Sequence, residues 1–119
     1  MPAGLQYARG DIASQFTNAT ATVTSGPVGN PGDASVVLAG VHLTALTGTT
    51  PTATLSVEQS ANGSSGWTTV AGSTAVALSA AGTAQVMVVA TANYVRTVLT
   101  LAGTTPSATG AVAVIVFGD

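Results

Sequence analysis

The sequence predicts an all-β protein: a single antiparallel β-sandwich, jelly-roll or immunoglobulin-like, preceded by an extended N-terminal arm. Three observations carry that expectation. Thr and Val are abundant, and β-branched side chains fit the pleated surface of a sheet. Gly, Pro, Asn and Ser clusters recur at short spacing between apolar runs, which is the punctuation of a sandwich or barrel and not of alternating β and α units. No segment carries a helical apolar stripe capped at both ends. With 119 residues, the chain fits one domain with a genuine core.

Residues 1–20 are expected to form the arm and residues 21–119 the sandwich. The arm holds one of the two arginines (Arg9), one of the two tyrosines (Tyr7) and Phe16 in a poorly periodic stretch. Such a segment orders when it lies on a neighbour. Within it, 11-DIASQFTNA-19 is expected to make a short turn of helix, and 9-RGD-11 a solvent-exposed turn. A turn at 25-SGPVGNPGD-33 leads into 34-ASVVLAGVHLTAL-46, apolar on both faces, as is 111-AVAVIVF-117. Strands of that kind lie centrally or are covered by a partner. Segment 53-ATLSVEQS-60 alternates, with Ala53, Leu55 and Val57 on one face and Thr54, Ser56 and Glu58 on the other. In 93-NYVRTVLTL-101, Val95, Leu99 and Leu101 oppose Arg96 and Thr100.

One internal correspondence stands out. Residues 46-LTGTTPTAT-54 match 101-LAGTTPSAT-109 at an offset of 55, identical at Leu, Gly, Thr, Thr, Pro, Ala and Thr. Gly48–Pro51 and Gly103–Pro106 are therefore expected to be equivalent strand-to-strand connections at one end of the sandwich. Two copies are too few for a solenoid or propeller.

Charge excludes several functions. Lys+Arg total 2 against Asp+Glu 4, and charged residues make up 5% of the chain, where an ordinary domain carries about a quarter. Binding a phosphate backbone takes several basic side chains, so no nucleic-acid partner is expected. Gly, Ser, Thr and Asn interrupt the uncharged stretch 59–95 too often for a membrane helix, so no membrane is expected either. The start, MPAGLQYARGD, lacks the apolar core of a signal peptide, so synthesis and use without Sec export are expected. Asn18-Ala-Thr20 and Asn62-Gly-Ser64 fit the glycosylation sequon and are then incidental.

No catalysis is expected. The four acids are scattered at 11, 33, 58 and 119, and general acid–base chemistry usually wants paired groups. His42 is the single histidine and sits in a strand pattern, where a structural role is expected. Without Cys or a second His no common metal site can be completed, so no metal and no cofactor are expected. The stretch 60-SANGSSGW-67 is expected to reverse the chain, Asn62-Gly63 supplying positive φ angles and Trp67 packing over the sandwich end. The alternative makes Asn62 and Trp67 a ligand loop for sugar.

The combination 55-LSVEQSANGSSGWTTVAGSTAVALSAAGT-83 followed by 93-NYVRTVLTLAGTTPSATGAVAVIVFG-118 resembles small structural proteins of tailed bacteriophages, of the capsid decoration or cement type. The likeness covers residues 36–118. It implies a non-enzymatic protein on the outer surface of a capsid, stabilising the shell as a homo-oligomer, with a trimer favoured and the major capsid protein of the same virion as partner. Leu5, Tyr7, Arg9 and Phe16 of the arm would then anchor to the capsid, since aromatics and Arg dominate interface energetics. Val37, Val41, Val114 and Val116, on the doubly apolar strands, would form the self-association surface. A carbohydrate-binding or adhesin module, a tail, fibre or connector component, and strand exchange between subunits stay open at this point.

Overall fold

Two very long strands organise the molecule. The computed structural model describes residues 7–29, 35–73 and 76–118; the side chains of 7–12, 35, 76 and 118 lie outside that description. In chain order the strands are β1 (Tyr7–Ala19), β2 (Val23–Thr24), β3 (Val28–Gly29), β4 (Ser35–Ser60), β5 (Thr68–Thr69), β6 (Val76–Leu78), β7 (Gly82–Ala90) and β8 (Tyr94–Gly118). β4 and β8 pair antiparallel from Val36↔Phe117 to Ser60↔Tyr94.

This ribbon bends where the two repeat copies meet. The register shifts between Thr47 and Thr49 and again between Thr49 and Thr52. Thr49 pairs with Thr104, its own equivalent in the other copy, so a local two-fold axis passes between them. The backbone repeats the same conformation on each side: Gly48 and Gly103 at φ 127° and 111°, Thr50 and Thr105 at φ 45° and 48°. Positive φ at a β-branched residue is rare, and here it recurs in symmetric pairs. The GTTP segments were expected to be connections between strands. They instead lie inside continuous strands, because bulge-like irregularities can bend a ladder sharply without ending it.

The bend creates the sandwich. On one side of it lie β1, the C-terminal half of β8, the N-terminal half of β4, and β7. On the other, β2 and β3 flank the N-terminal half of β8, and β5 and β6 flank the C-terminal half of β4. Alternation aims one side of each strand inward. Val37, Ala39, Val57, Val95, Val114 and Val116 form a cluster far from the bend; Val41, Leu43, Ala53, Leu55, Leu99 and Val112 form a second near it. Each cluster draws on both layers, so the layers pack face to face. A buried polar link joins them: Thr97 Oγ1 donates to the Ala113 carbonyl at 2.7 Å, while the Thr97 amide donates to Ser25 Oγ at 2.9 Å. The all-β antiparallel sandwich is as expected, and so is the inward set Ala53, Leu55 and Val57.

The N-terminal segment differs from expectation. Residues 11–19 are strand and not a turn of helix. β1 pairs along β8 of the same chain from Tyr7↔Gly118 to Ala19↔Ala108, with an irregularity between Phe16 and Ala19. Asn18 takes φ 51° there, and its amide donates to Thr109 Oγ1 at 2.9 Å. Alternating Ile12, Ser14 and Phe16 match a ladder as well as a helix, and β8 supplies an edge that needs a partner.

Candidate functional site

Three features of the surface could carry function: the 60–67 loop, the polar outer face beneath it, and the outer face of the opposite layer. The loop is built around two side chains. Ser60 Oγ accepts from the amides of Asn62 and Gly63 at 3.2 and 3.1 Å and donates to the Ser65 carbonyl at 2.5 Å. Asn62 Oδ1 accepts from the amides of Ser64 and Ser65, each at 2.9 Å. Such an Asx-type clasp substitutes side-chain oxygens for missing ladder partners. The reversal is thus longer than a two-residue Asn-Gly turn. Gly63, at φ 77°, lies so close to Tyr94 that a Cβ would meet its ring at 3.0 Å.

Since its accepting oxygen holds the loop, Asn62→Ala is expected to lower stability by about 1–2 kcal/mol. Asn62→Asp keeps that oxygen and should stay near the wild-type melting temperature. Equal behaviour of the two variants would show that the clasp contributes nothing.

Below the loop, Glu58 and Arg96 face each other across β4 and β8. Arg96 donates to Glu58 Oε1 through Nε at 2.9 Å and Nη2 at 2.6 Å. The guanidinium also sits 4.2 Å from the centroid of the Trp67 ring. With the two side chains 25% and 22% exposed, pairing and stacking hold the indole on the sheet. Charge is neutralised within the cluster, and one ring face is already taken by Arg96. Along this face the cross-strand pair Thr54↔Thr100 carries hydroxyls, while Ser56 and Val98, paired between it and the ion pair, are buried at 7% and 6% exposure.

The outer face of the other layer is different. Its rows run across β7, β4 and β8 as Val89–Val36–Phe117, Met87–Leu38–Ile115, Gln85–Gly40–Ala113 and Thr83–His42–Ala111. The first two rows are wholly apolar, and Met87 and Val89 are 62% and 56% exposed. The last two surround a shallow groove lined by Gly40, His42, Thr83, Gln85, Ala111 and Ala113. His42 is exposed on this face, with Nδ1 3.0 Å from Thr83 Oγ1.

The expected site residues scatter. Asn62 and Trp67 lie together at the loop, committed as described. Val37, Val41, Val114 and Val116 are core residues, 0–3% exposed, so the surface of those strands is made by their neighbours Val36, Leu38, Ile115 and Phe117. Phe16 packs half-buried against the cluster near the bend. Tyr7 and Arg9 lie on β1, their side chains outside the described set, and Leu5 precedes the described residues. Among the described residues no three His, Asp or Glu side chains gather where they could hold a metal.

No protein-family model matches the chain, and no curated protein sequence matches it. Solved structures with a similar fold exist. The PBSX exported protein XepA aligns with a TM-score of 0.58 at 21% identity, over 95% of this chain and 37% of its own. A chitosan-binding module from a Paenibacillus sp. IK-5 chitosanase/glucanase aligns at 0.47 and 18% identity, over 89% and 76%. A protein of the Bacillus endospore appendages, described as disulfide-linked pili, aligns at 0.42 and 18%, over 95% and 85%. At these identities the XepA likeness shows the sandwich fold, and the chain spans little more than a third of that protein's length.

Proposed function

We propose that the chain is a non-enzymatic virion structural protein, a decoration protein that binds the outer surface of a capsid shell and stabilises it. The observation that carries this is the surface of an assembling chain: the outer face of β7, β4 and β8 is covered by no other strand among the described residues, and two adjacent rows of it are apolar. A contiguous apolar face marks a contact surface, and a chain with 5% charged residues is suited to a packed assembly. The likeness of residues 36–118 to phage structural proteins supports the same reading.

Cosedimentation with shells of the virion that encodes it tests the proposal. The chain should pellet with intact shells and saturate at a fixed ratio to the major capsid protein. Absence of binding, with the chain found on tails or fibres by immunogold labelling, would move it elsewhere in the virion. Trp67 motivates a second reading as a carbohydrate-binding module. Retention on polysaccharide that is lost in Trp67→Ala would establish that one instead.

A further inference from the structure

We propose that the outer face of β7, β4 and β8 binds a second copy of this chain, face to face, about a two-fold axis lying in the interface across the strands. The inference rests on the reading of the chain as an assembly protein and gives this face to the self-contact, so that the shell is met by another surface of the pair.

The face is divided along the strands. Its far half projects large apolar side chains, Met87, Leu38 and Ile115 in one row and Val89, Val36 and Phe117 in the next. Its near half is recessed, because Gly40, Ala113 and Ala111 occupy the central positions and leave the groove beside Gln85 and His42. Knobs and groove sit on one surface. An axis between the Leu38 and Gly40 rows reverses the strand direction and superposes each half on the other half of the partner. Met87, Leu38 and Ile115 of one copy then meet Gln85, Gly40 and Ala113 of the next. This is the self-complementarity that an isologous contact requires.

Dimensions and charge agree. Four rows along strands spaced about 4.8 Å apart, rising about 3.3 Å per residue, and including the flanking β1, make a face of about 27 by 19 Å, or about 500 Å². Two copies bury about 1,000 Å², the lower bound of a specific interface. Packed sheets stand about 10 Å apart, a gap that side chains of this size fill. None of the twelve residues named in the four rows is Asp, Glu, Lys or Arg, so over β7, β4 and β8 two like faces meet without opposing such charges. Asp11, in register with Ile115 on the outermost strand β1, lies at the rim. The opposite outer face offers no such match, being polar and holding the Glu58–Arg96 pair.

Light scattering behind a sizing column, on the full chain, reads the result. A mass twice that of the 11.4 kDa chain is expected, and a monomer or a trimer at the same concentration overturns the proposal. Two variants separate a specific contact from general stickiness. Met87→Glu should raise the dimer dissociation constant at least about 100-fold, since each interface would bury the charge twice. Gly40→Leu adds apolar surface but fills the groove. A Cβ there has room, its nearest neighbours being the Ala84 carbonyl at 3.7 Å and Gln85 Cγ at 3.8 Å. It should abolish the dimer while leaving the melting temperature of the monomer unchanged; a Gly40→Leu chain that still dimerises refutes the fit. Shell binding is scored separately. A monomer that saturates shells would sink the self-contact and leave the virion role standing, whereas a dimer that ignores shells would do the reverse.

Discussion

Gly110→Ala is expected to cost the sandwich about 3 kcal/mol or more, a large share of the stability of an ordinary domain. Gly110 lies on β8 where it is hemmed in on both sides, in register with Phe16 of β1 and Leu43 of β4. A Cβ at this position would fall on the carbonyl oxygen of His42 and within 2.9 Å of Leu43 Cα. These are backbone atoms, so no rotamer change relieves the clash. The strands must separate, and separation breaks ladder hydrogen bonds beside the cluster of Val41, Leu43 and Val112. Gly29→Ala is the control, because nothing lies within 4 Å of a Cβ there. Urea denaturation of the two variants reads the difference. A Gly110→Ala protein within about 1 kcal/mol of wild type would show that β4 and β8 can part at this point at little cost.

The fold was legible where one face of a strand is polar. Thr54 and Glu58 mark the outer side of β4, Ser56 shares their parity although it is buried, and Ala53, Leu55 and Val57 follow inward without ambiguity. Between 34 and 46, and again between 111 and 117, both faces are apolar, and alternation alone does not say which set is inside. One residue could have decided it. His42 shares parity with Val36, Leu38 and Gly40, and a lone histidine is better placed in water than in a Val-lined core. That parity puts Val37 and Val41 inside, as found, and leaves Leu38 and Ile115 to make the surface. The strand at 11–19 is hidden in the sequence for a related reason. The stretch Ile12, Ser14, Phe16 is short and mixed, and what orders it is the ladder edge of β8, far away in sequence. Removing residues 1–18 would therefore strip an edge strand and Phe16 from the fold, so it tests stability as much as capsid binding.

The repeat was visible as a repeat, but its geometry was not, since a Gly-Thr-Thr-Pro signal describes a reversal as readily as a bend. The structure makes the two copies each other's partners, and this has an energetic consequence. A Cβ on Gly48 would meet the carbonyls of Thr105 and Thr104 at 2.9 and 3.0 Å; one on Gly103 would meet those of Thr50 and Thr49 at 2.8 and 3.0 Å. Both glycines also hold φ values, 127° and 111°, that L side chains rarely adopt. Gly48→Ala and Gly103→Ala are each expected to lose about 2–4 kcal/mol, with penalties matching to within about 1 kcal/mol because the local axis makes their surroundings equivalent. The double variant should lose less than the sum. Either substitution forces the two strands apart at the bend, and strands already parted resist the second Cβ less, so the coupling is favourable. Strict additivity in a double-mutant cycle would mean that the two halves of the bend yield independently. In that case the bend would be two separate bulges that happen to share a sequence, and the layers on either side of it could rotate without disturbing one another. Coupling of about 1 kcal/mol or more would instead make the paired GTTP segments one rigid corner, the element that fixes the angle at which the apolar outer face is presented to whatever binds it.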